Sequence, residues 1–265
     1  MFHQPHNSQG NFNFNAFIYS GTGYQDHFHR NFEVIYILKG SAPVRVGHEQ
    51  YTLHAREMVL IPPWHVHSFS VTEENLVWVG VFSKDFISKF AHREEGQRFS
   101  PFQCDPSADQ FLREQLFTAD APPRYLLMAS LYLICDQCMK FAKVSQSEEQ
   151  SALRDKILRY IEEHYTQQIS MQETAEALGY EYHYFSQLFH DCFEMNFRAF
   201  INIYRFDLAC ELLTETEKEI IDIAMESGFQ SLRNFNRIFK TLSGSTPQEY
   251  RNHVRRSPPL PHRKT

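Results

Sequence analysis

The stretch IIDIAMESGFQSLRNFNRIFKTLSGSTP, residues 220–247, decides the fold of the C-terminal half of this chain. Apolar residues return at helical spacing on both sides of Gly228. Ala224 is small enough for two helices to approach closely, and Gly228 can take the left-handed conformation that ends a helix. Ser231 is placed to cap the helix that follows. In that helix Phe235, Ile238, Phe239 and Leu242 form one stripe, and Arg233, Asn236, Arg237 and Lys240 occupy the opposite side. A helix, a glycine-bearing turn and a second helix make a helix-turn-helix. In a major groove, arginine can read guanine and asparagine adenine, while Lys240 meets phosphate.

The same pattern occurs upstream, in MQETAEALGYEYHYFSQLFHDCFEMNF, residues 171–197. Ala175 aligns with Ala224, Gly179 with Gly228, Tyr180 with Phe229, Phe185 with Phe235 and Phe189 with Phe239. Ser170 with Glu173 reads as a capping box, and so does Thr246 with Glu249. The net charge of −6 argues against nucleic acid only as a total. Residues 151–227 hold six Lys and Arg against fifteen Asp and Glu, whereas residues 228–265 hold eight against Glu249 alone. Such asymmetry is a better clue to a partner than the sum. A solvated polar face on an ordinary bundle is the bland alternative; the repeat, the caps and the local basic charge favour DNA recognition.

Residues 157–251 resemble the DNA-binding domain of the AraC/XylS family of bacterial transcription regulators, most tellingly through IAMESGFQSLRNFNRIFKTLSGSTPQEYR. The resemblance implies two helix-turn-helix units joined by a central helix, here about residues 197–214. It implies DNA contacts from Tyr182, His183, Gln187 and His190 in the first unit and from Arg233, Asn236, Arg237 and Lys240 in the second. Ser231, Asn234 and Arg251 complete the expected set. The first unit departs from the family pattern. Glu181 stands where a serine cap is usual, Gln187 and His190 stand where basic residues are usual, and Glu194 replaces a glycine that Gly244 retains in the second unit. A recognition helix without Lys or Arg has little phosphate attraction of its own. The second unit is therefore expected to supply most of the electrostatic affinity.

Up to about residue 83 the period is that of strands. NFNFNAFIY alternates Phe12, Phe14, Ala16 and Ile18 with polar residues, and FEVIYILKG, APVRVGHEQYTL, EMVLIPP and LVWVGVF are short β-branched and aromatic runs. An all-β barrel or sandwich is expected. Gly21, His27-x-His29, Glu33 and Gly40 have the spacing of the first cupin signature. The second is partial: Pro62 and His67 are kept, but Arg56 and Trp64 stand where glycines are usual and Val71 stands for asparagine. Residues of equal parity share a strand face, so His27, His29 and Glu33 can converge inside a barrel with His67 arriving from another strand. Three imidazoles and a carboxylate suit a divalent transition metal. Three readings stay open. His27, His29, Glu33, Trp64 and His67 contact an effector, a sugar among the candidates, with Phe28 and Tyr36 as further walls. His27, His29, Glu33 and His67 hold a metal, which would be an optional cofactor. Or the histidines are structural, and Glu33 is satisfied by Arg30 or Arg45.

A composition of 42% hydrophobic and 15% aromatic residues is globular. The N-terminus has no signal-peptide pattern, the longest apolar run is too short for a bilayer, and five scattered cysteines make no disulfide framework; a reducing bacterial cytoplasm is expected. Cys135-x-x-Cys138, alone on an apolar helical stretch, reads as packing. The expected organisation is an effector-sensing barrel (1–105), a helical connector and dimerisation segment with a linker (106–150), a tandem helix-turn-helix domain (151–256) and a frayed tail (257–265). The function expected is transcription regulation, activation by preference, by a homodimer that binds double-stranded DNA and contacts RNA polymerase. A cupin metalloenzyme with an appended DNA domain, or a ligand-independent regulator, are the alternatives. No nucleophile–base constellation and no phosphate-cradling loop appears elsewhere.

Overall fold

The computed structural model describes residues 2–3, 14–21, 23–93, 97–118, 122–144 and 148–256. Phe12 and the expected tail lie outside them. The chain divides into two compact units: Met1–Lys156 with Cys192–Glu194, and Ile157–Asp191 with Met195–Thr265.

The first unit is built on two five-stranded sheets. One runs β1 (Phe2–His3), β3 (Tyr24–Phe28), β8 (His67–Phe69), β5 (Ser41–Val46), β6 (Glu49–His54). The other runs β10 (Phe102–Gln103), β7 (Glu57–Ile61), β4 (Phe32–Lys39), β9 (Leu76–Phe82), β2 (Phe14–Tyr19). The pairs are antiparallel except β1 with β3. Ile35 and Ile37 of β4 join Val44, Val59, Phe69, Val79 and Val81 in one apolar cluster between the sheets. Phe32, Val34 and Tyr36, of opposite parity, join a second cluster with Met58, Leu60, Trp78 and Phe82. This second cluster is completed by helices α2 (Pro106–Gln115) and α3 (Arg124–Phe141) through Leu112, Leu116, Leu127, Leu131, Ile134, Cys135 and Cys138. Hence β4 is buried on both faces, which is why FEVIYIL reads as an unbroken apolar run instead of an alternating one. Residues 106–141, within the segment expected as a connector (106–150), form a layer of the first unit's core, and Cys135 and Cys138 are buried thiols within it that form no disulfide. Asp109 of α2 ties the layer down: it accepts from the Tyr36 hydroxyl at 2.7 Å and from Arg56 Nε at 3.0 Å. A short helix α1 (Ser88–Arg93) precedes β10.

Helix α4 (Glu148–His164) leads into α5 (Met171–Leu178), α6 (Tyr182–Phe193), the long α7 (Phe197–Glu215), α8 (Ile220–Glu226), α9 (Leu232–Ser243) and α10 (Pro247–Arg256). The expected caps are present. Ser170 Oγ accepts from Glu173 N and donates to its carboxylate; Thr246 and Glu249 exchange the corresponding pair. Ser231 accepts from Asn234 N at the start of α9, where Phe235 and Phe239 are fully buried against Phe206, Ala209 and Leu213 of α7. Among the described residues no helix is long and apolar enough to cross a membrane.

Gly179 and Gly228 both sit at positive φ, +82° and +85°, but in different surroundings. A Cβ on Gly179 would meet nothing within 4 Å, whereas one on Gly228 would lie 2.7 Å from the Thr166 carbonyl oxygen and 2.8 Å from its Cα. Gly179→Ala is expected to cost about 1 kcal/mol from the backbone alone. Gly228→Ala should cost a further ~1–3 kcal/mol from overpacking. Urea unfolding midpoints of the two variants check the order, which equal losses would contradict.

Candidate metal centre and candidate nucleic-acid interface

His27 on β3 lies directly opposite His67 on β8 in the strand register. Glu33 lies on β4 with the parity of Ile35 and Ile37, so it points between the sheets. His29 follows the end of β3. The four side chains are each about 1% exposed, and their ligand atoms all lie within 4.8 Å of one another. Glu33 Oε2 is 3.0 Å from His29 Nε2 and 3.3 Å from His67 Nε2.

The other ring nitrogens define the protonation. His27 Nδ1 faces the Gln25 carbonyl at 2.8 Å, His29 Nδ1 the Asn31 carbonyl at 3.0 Å, and His67 Nδ1 the His65 carbonyl at 2.8 Å. A carbonyl only accepts, so each Nδ1 is the donor in its bond, and the Nε2 atoms are the ones turned inward. Burial, reinforced by His67, pushes His27 down to about 3, and burial pushes His29 down as well. Burial alone would raise Glu33, but His67 and His29 facing it hold its carboxyl below the usual carboxylate range. The Nε2 atoms of His29 and His67 thus face the Glu33 carboxylate, and His29 Nε2 is hydrogen-bonded to Glu33 Oε2. Among the described residues Glu33 Oε1 and His67 Nε2 have no hydrogen-bond partner. The donor chemistry of this buried set, with its carbonyl-oriented imidazoles, fits a divalent transition metal.

The cavity beside the cluster measures about 10 Å³ and is lined by Phe17, Tyr19, Tyr24, His27, Glu33, Phe69, Val79 and Val81. That is room for one water-sized body. The aromatic walls are therefore Phe17, Tyr19, Tyr24 and Phe69, which sequence reading missed. Trp64, Phe28 and Tyr36 do not line it. Tyr36 faces the helical layer, and Trp64 is a backbone anchor whose N–H donates to the His29 carbonyl at 2.8 Å. Nor does Arg45 satisfy Glu33: its guanidinium pairs with Asp26 at 2.8 Å. Phe69 shares the parity of His67 on β8, which was the available signal; Tyr24 is of opposite parity to His27 and reaches the cavity through the register shift between them, which was not readable.

On α9, Arg233, Asn236, Arg237 and Lys240 are exposed, opposite buried Phe235 and Phe239. Ser231 is exposed as the cap, and half-buried Asn234 accepts from Arg237 Nη2 at 2.9 Å, steadying that guanidinium. Arg251 does not join this surface. It is 8% exposed and donates to the Lys218 carbonyl at 2.7 Å, so it fastens α10 to the segment before α8. On α6, Tyr182, His183, Gln187 and His190 are exposed, together with Tyr184, which the sequence reading left out. Glu181 replaces the missing serine cap by accepting from Tyr184 N at 3.0 Å. Gln187 donates to Asp191 at 3.0 Å. The two recognition helices thus differ in charge: cations on α9, none on α6.

Comparison with known proteins agrees with both halves. Residues 154–253 match a helix-turn-helix domain model and residues 18–82 a cupin domain model. An uncharacterized HTH-type transcriptional regulator of Staphylococcus aureus is 35% identical over 106 residues, covering 38% of this chain and 14% of the relative. The regulator YtdP of Bacillus subtilis is 31% identical over 103 residues, covering 39% of this chain and 13% of its own length. The chain thus aligns with only a small part of these longer relatives. In fold it is similar to ToxT from Vibrio cholerae, with a TM-score of 0.55 at 17% identity over 92% of this chain and 98% of that one. An unsaturated fatty acid bound form of ToxT gives 0.56 at 20% identity, over 91% and 94%. The chain joins a cupin domain to a helix-turn-helix domain of the AraC type.

Proposed function

We propose that the protein is a sequence-specific transcription regulator that binds double-stranded DNA through α6 and α9. The observation that carries this reading is the α9 face, where Arg233, Asn236, Arg237 and Lys240 stand free of the buried Phe235–Phe239 stripe in the basic part of the chain. Arginine and asparagine read base edges, and lysine and arginine release counterions from phosphate. The first unit adds selectivity through Gln187 and the exposed Tyr182, His183 and His190, with little electrostatic attraction. Activation through contact with RNA polymerase, in the bacterial cytoplasm, is the output proposed.

The barrel is the sensor. His27, His29, Glu33 and His67 would hold a divalent transition metal ion, supported by the convergence of their ligand atoms within 4.8 Å and by the Glu33 Oε1 that has no partner among the described residues. When bound, such an ion supplies the positive charge, and the Lewis acidity, that the four residues lack. A small-molecule effector is the second reading, supported by the ToxT form bound to an unsaturated fatty acid. A sugar at the cluster requires the 10 Å³ cavity to open. Control by population shift then follows: a ligand in the barrel changes operator affinity by its differential affinity for the two states. The tandem recognition helices favour regulation over a cupin metalloenzyme, for which metal-dependent turnover abolished by His27→Ala would be the mark.

Dimerisation is proposed through α3, where Tyr125 is 84% exposed and Tyr132 and Met139 follow it at seven-residue spacing. Tyr125→Glu with Met139→Glu is expected to shift a dimer to monomer in sedimentation; an unchanged dimer overturns that interface. Native mass spectrometry of freshly purified protein is expected to show one transition-metal ion per chain, lost in His67→Ala. A metal-free native chain whose affinity for added zinc is unchanged by His67→Ala would sink the metal centre. For DNA, Arg237→Ala should weaken binding about tenfold or more and lower the salt slope by about one. Gln187→Ala should leave the slope unchanged and relax base preference. Equal effects of the two substitutions on affinity and slope would sink the division of labour.

A further inference from the structure

Residues 62–66, PPWHV, connect β7 to β8 and so lead directly to His67. Trp64 within them adopts φ +64°, a left-handed conformation that costs a bulky residue about 1–2 kcal/mol and persists only where the surroundings hold it. Two hydrogen bonds hold its main chain from opposite sides. The Trp64 N–H donates to the His29 carbonyl at 2.8 Å, and the Trp64 carbonyl accepts from Arg154 Nη2 at 2.5 Å. The neighbouring residue reaches the cluster too, because the His65 carbonyl accepts from His67 Nδ1 at 2.8 Å. One five-residue loop is therefore bonded to two members of the cluster, His29 and His67, and to one guanidinium. Arg154 is 2% exposed and lies on α4, the helix that runs from Glu148 to His164 and carries the chain from the first unit into the second.

We infer that Arg154 is the positioning residue through which the state of the His27–His29–Glu33–His67 cluster reaches the helix leading to the DNA-binding unit. This rests on the reading of the barrel as a sensor. The chemistry suits an all-or-none coupling. A change in how the cluster holds His29 or His67 shifts the loop by its two backbone bonds, and the shift displaces the Trp64 carbonyl from Arg154. A buried guanidinium stripped of an acceptor is costly, so Arg154 and the turn of α4 that bears it move with the loop instead of staying behind. The strained Trp64 turn has an alternative to relax into when those bonds loosen. The two discrete arrangements that coupling requires are thus Trp64 held and Trp64 released.

Hydrogen exchange on the full-length chain tests this, with Glu33→Gln as the perturbation, since it removes the cluster's charge without needing an identified ligand. In the parent, Glu33→Gln is expected to speed exchange at least tenfold in peptides covering residues 62–66 and 152–160. In an Arg154→Met background the loop should still respond and residues 152–160 should not. A response of residues 152–160 that is equal in both backgrounds, or missing in the parent, overturns the relay. Should Arg154→Met fail to fold, Arg154→Lys keeps the charge and the stem but loses the planar fork. It is expected to cut the response of residues 152–160 at least twofold, and an undiminished response overturns the relay. Affinity for a DNA site enriched by the parent from a random-sequence pool separates the two levels of the argument. A several-fold effect of Glu33→Gln in the parent that falls below twofold in the Arg154 variant supports the relay. An equal effect in both overturns the relay and leaves the sensor reading standing; no effect in either overturns the sensor reading and the relay with it.

Discussion

A buried carboxylate that faces the inward nitrogens of imidazoles is the constraint around which the first unit is organised. Glu33 sits on β4, in the middle of its sheet, and the imidazoles arrive from β3 and β8 of the opposite sheet. Each ring is turned by a main-chain carbonyl near it in sequence, two residues away in every case. Local backbone geometry, not the cluster itself, thus aims the Nε2 atoms inward, so the convergence of these ligand atoms is built into the strands. Polar groups gathered in this way inside a protein are expensive to leave unpaired, which is what makes the four a candidate metal site.

That demand is met in a rigid setting. β4 is packed on one face by the inter-sheet aliphatic cluster and on the other by α2 and α3, and the Tyr36–Asp109–Arg56 hydrogen bonds fasten the helical layer to the same strand that carries Glu33. With both faces covered, β4 has little freedom to retreat from the cluster. The softer side is the loop of residues 62–66, which has a strained Trp64 and is held chiefly by backbone bonds.

The helical unit separates two requirements that many recognition helices combine. α9 has a serine cap, an arginine steadied by Asn234, and a basic surrounding sequence. α6 is capped by Glu181 and has Gln187 bonded to Asp191, with no cation among its exposed residues. Phosphate attraction is long-ranged and insensitive to base sequence, whereas amide contacts are short-ranged and base-specific. On the proposed DNA-binding role, placing them on different helices would let the affinity of one unit bring the selectivity of the other into register.

Much of this was legible from sequence where the determinants are local. The capping pairs Ser170–Glu173 and Thr246–Glu249, the left-handed Gly179, Gly228 and Gly244, the buried stripe of α9, and the spacing of His27, His29 and Glu33 depend on residues within a turn or two of one another. Residues whose roles depend on distant partners were misplaced. Arg251 reads as a DNA contact but is buried against the Lys218 carbonyl; Trp64 reads as a pocket wall but anchors the His29 backbone; residues 106–141 read as a connector but complete the core behind β4. The 10 Å³ cavity belongs to the same class, since its size follows from how Tyr19, Tyr24 and Phe69 close over the cluster. Sequence by itself determined which elements form and which chemistry they bear, because backbone propensity and capping are short-range. Tertiary structure alone decided which of those side chains meet, because burial and cavity size are set by packing between segments far apart in the chain.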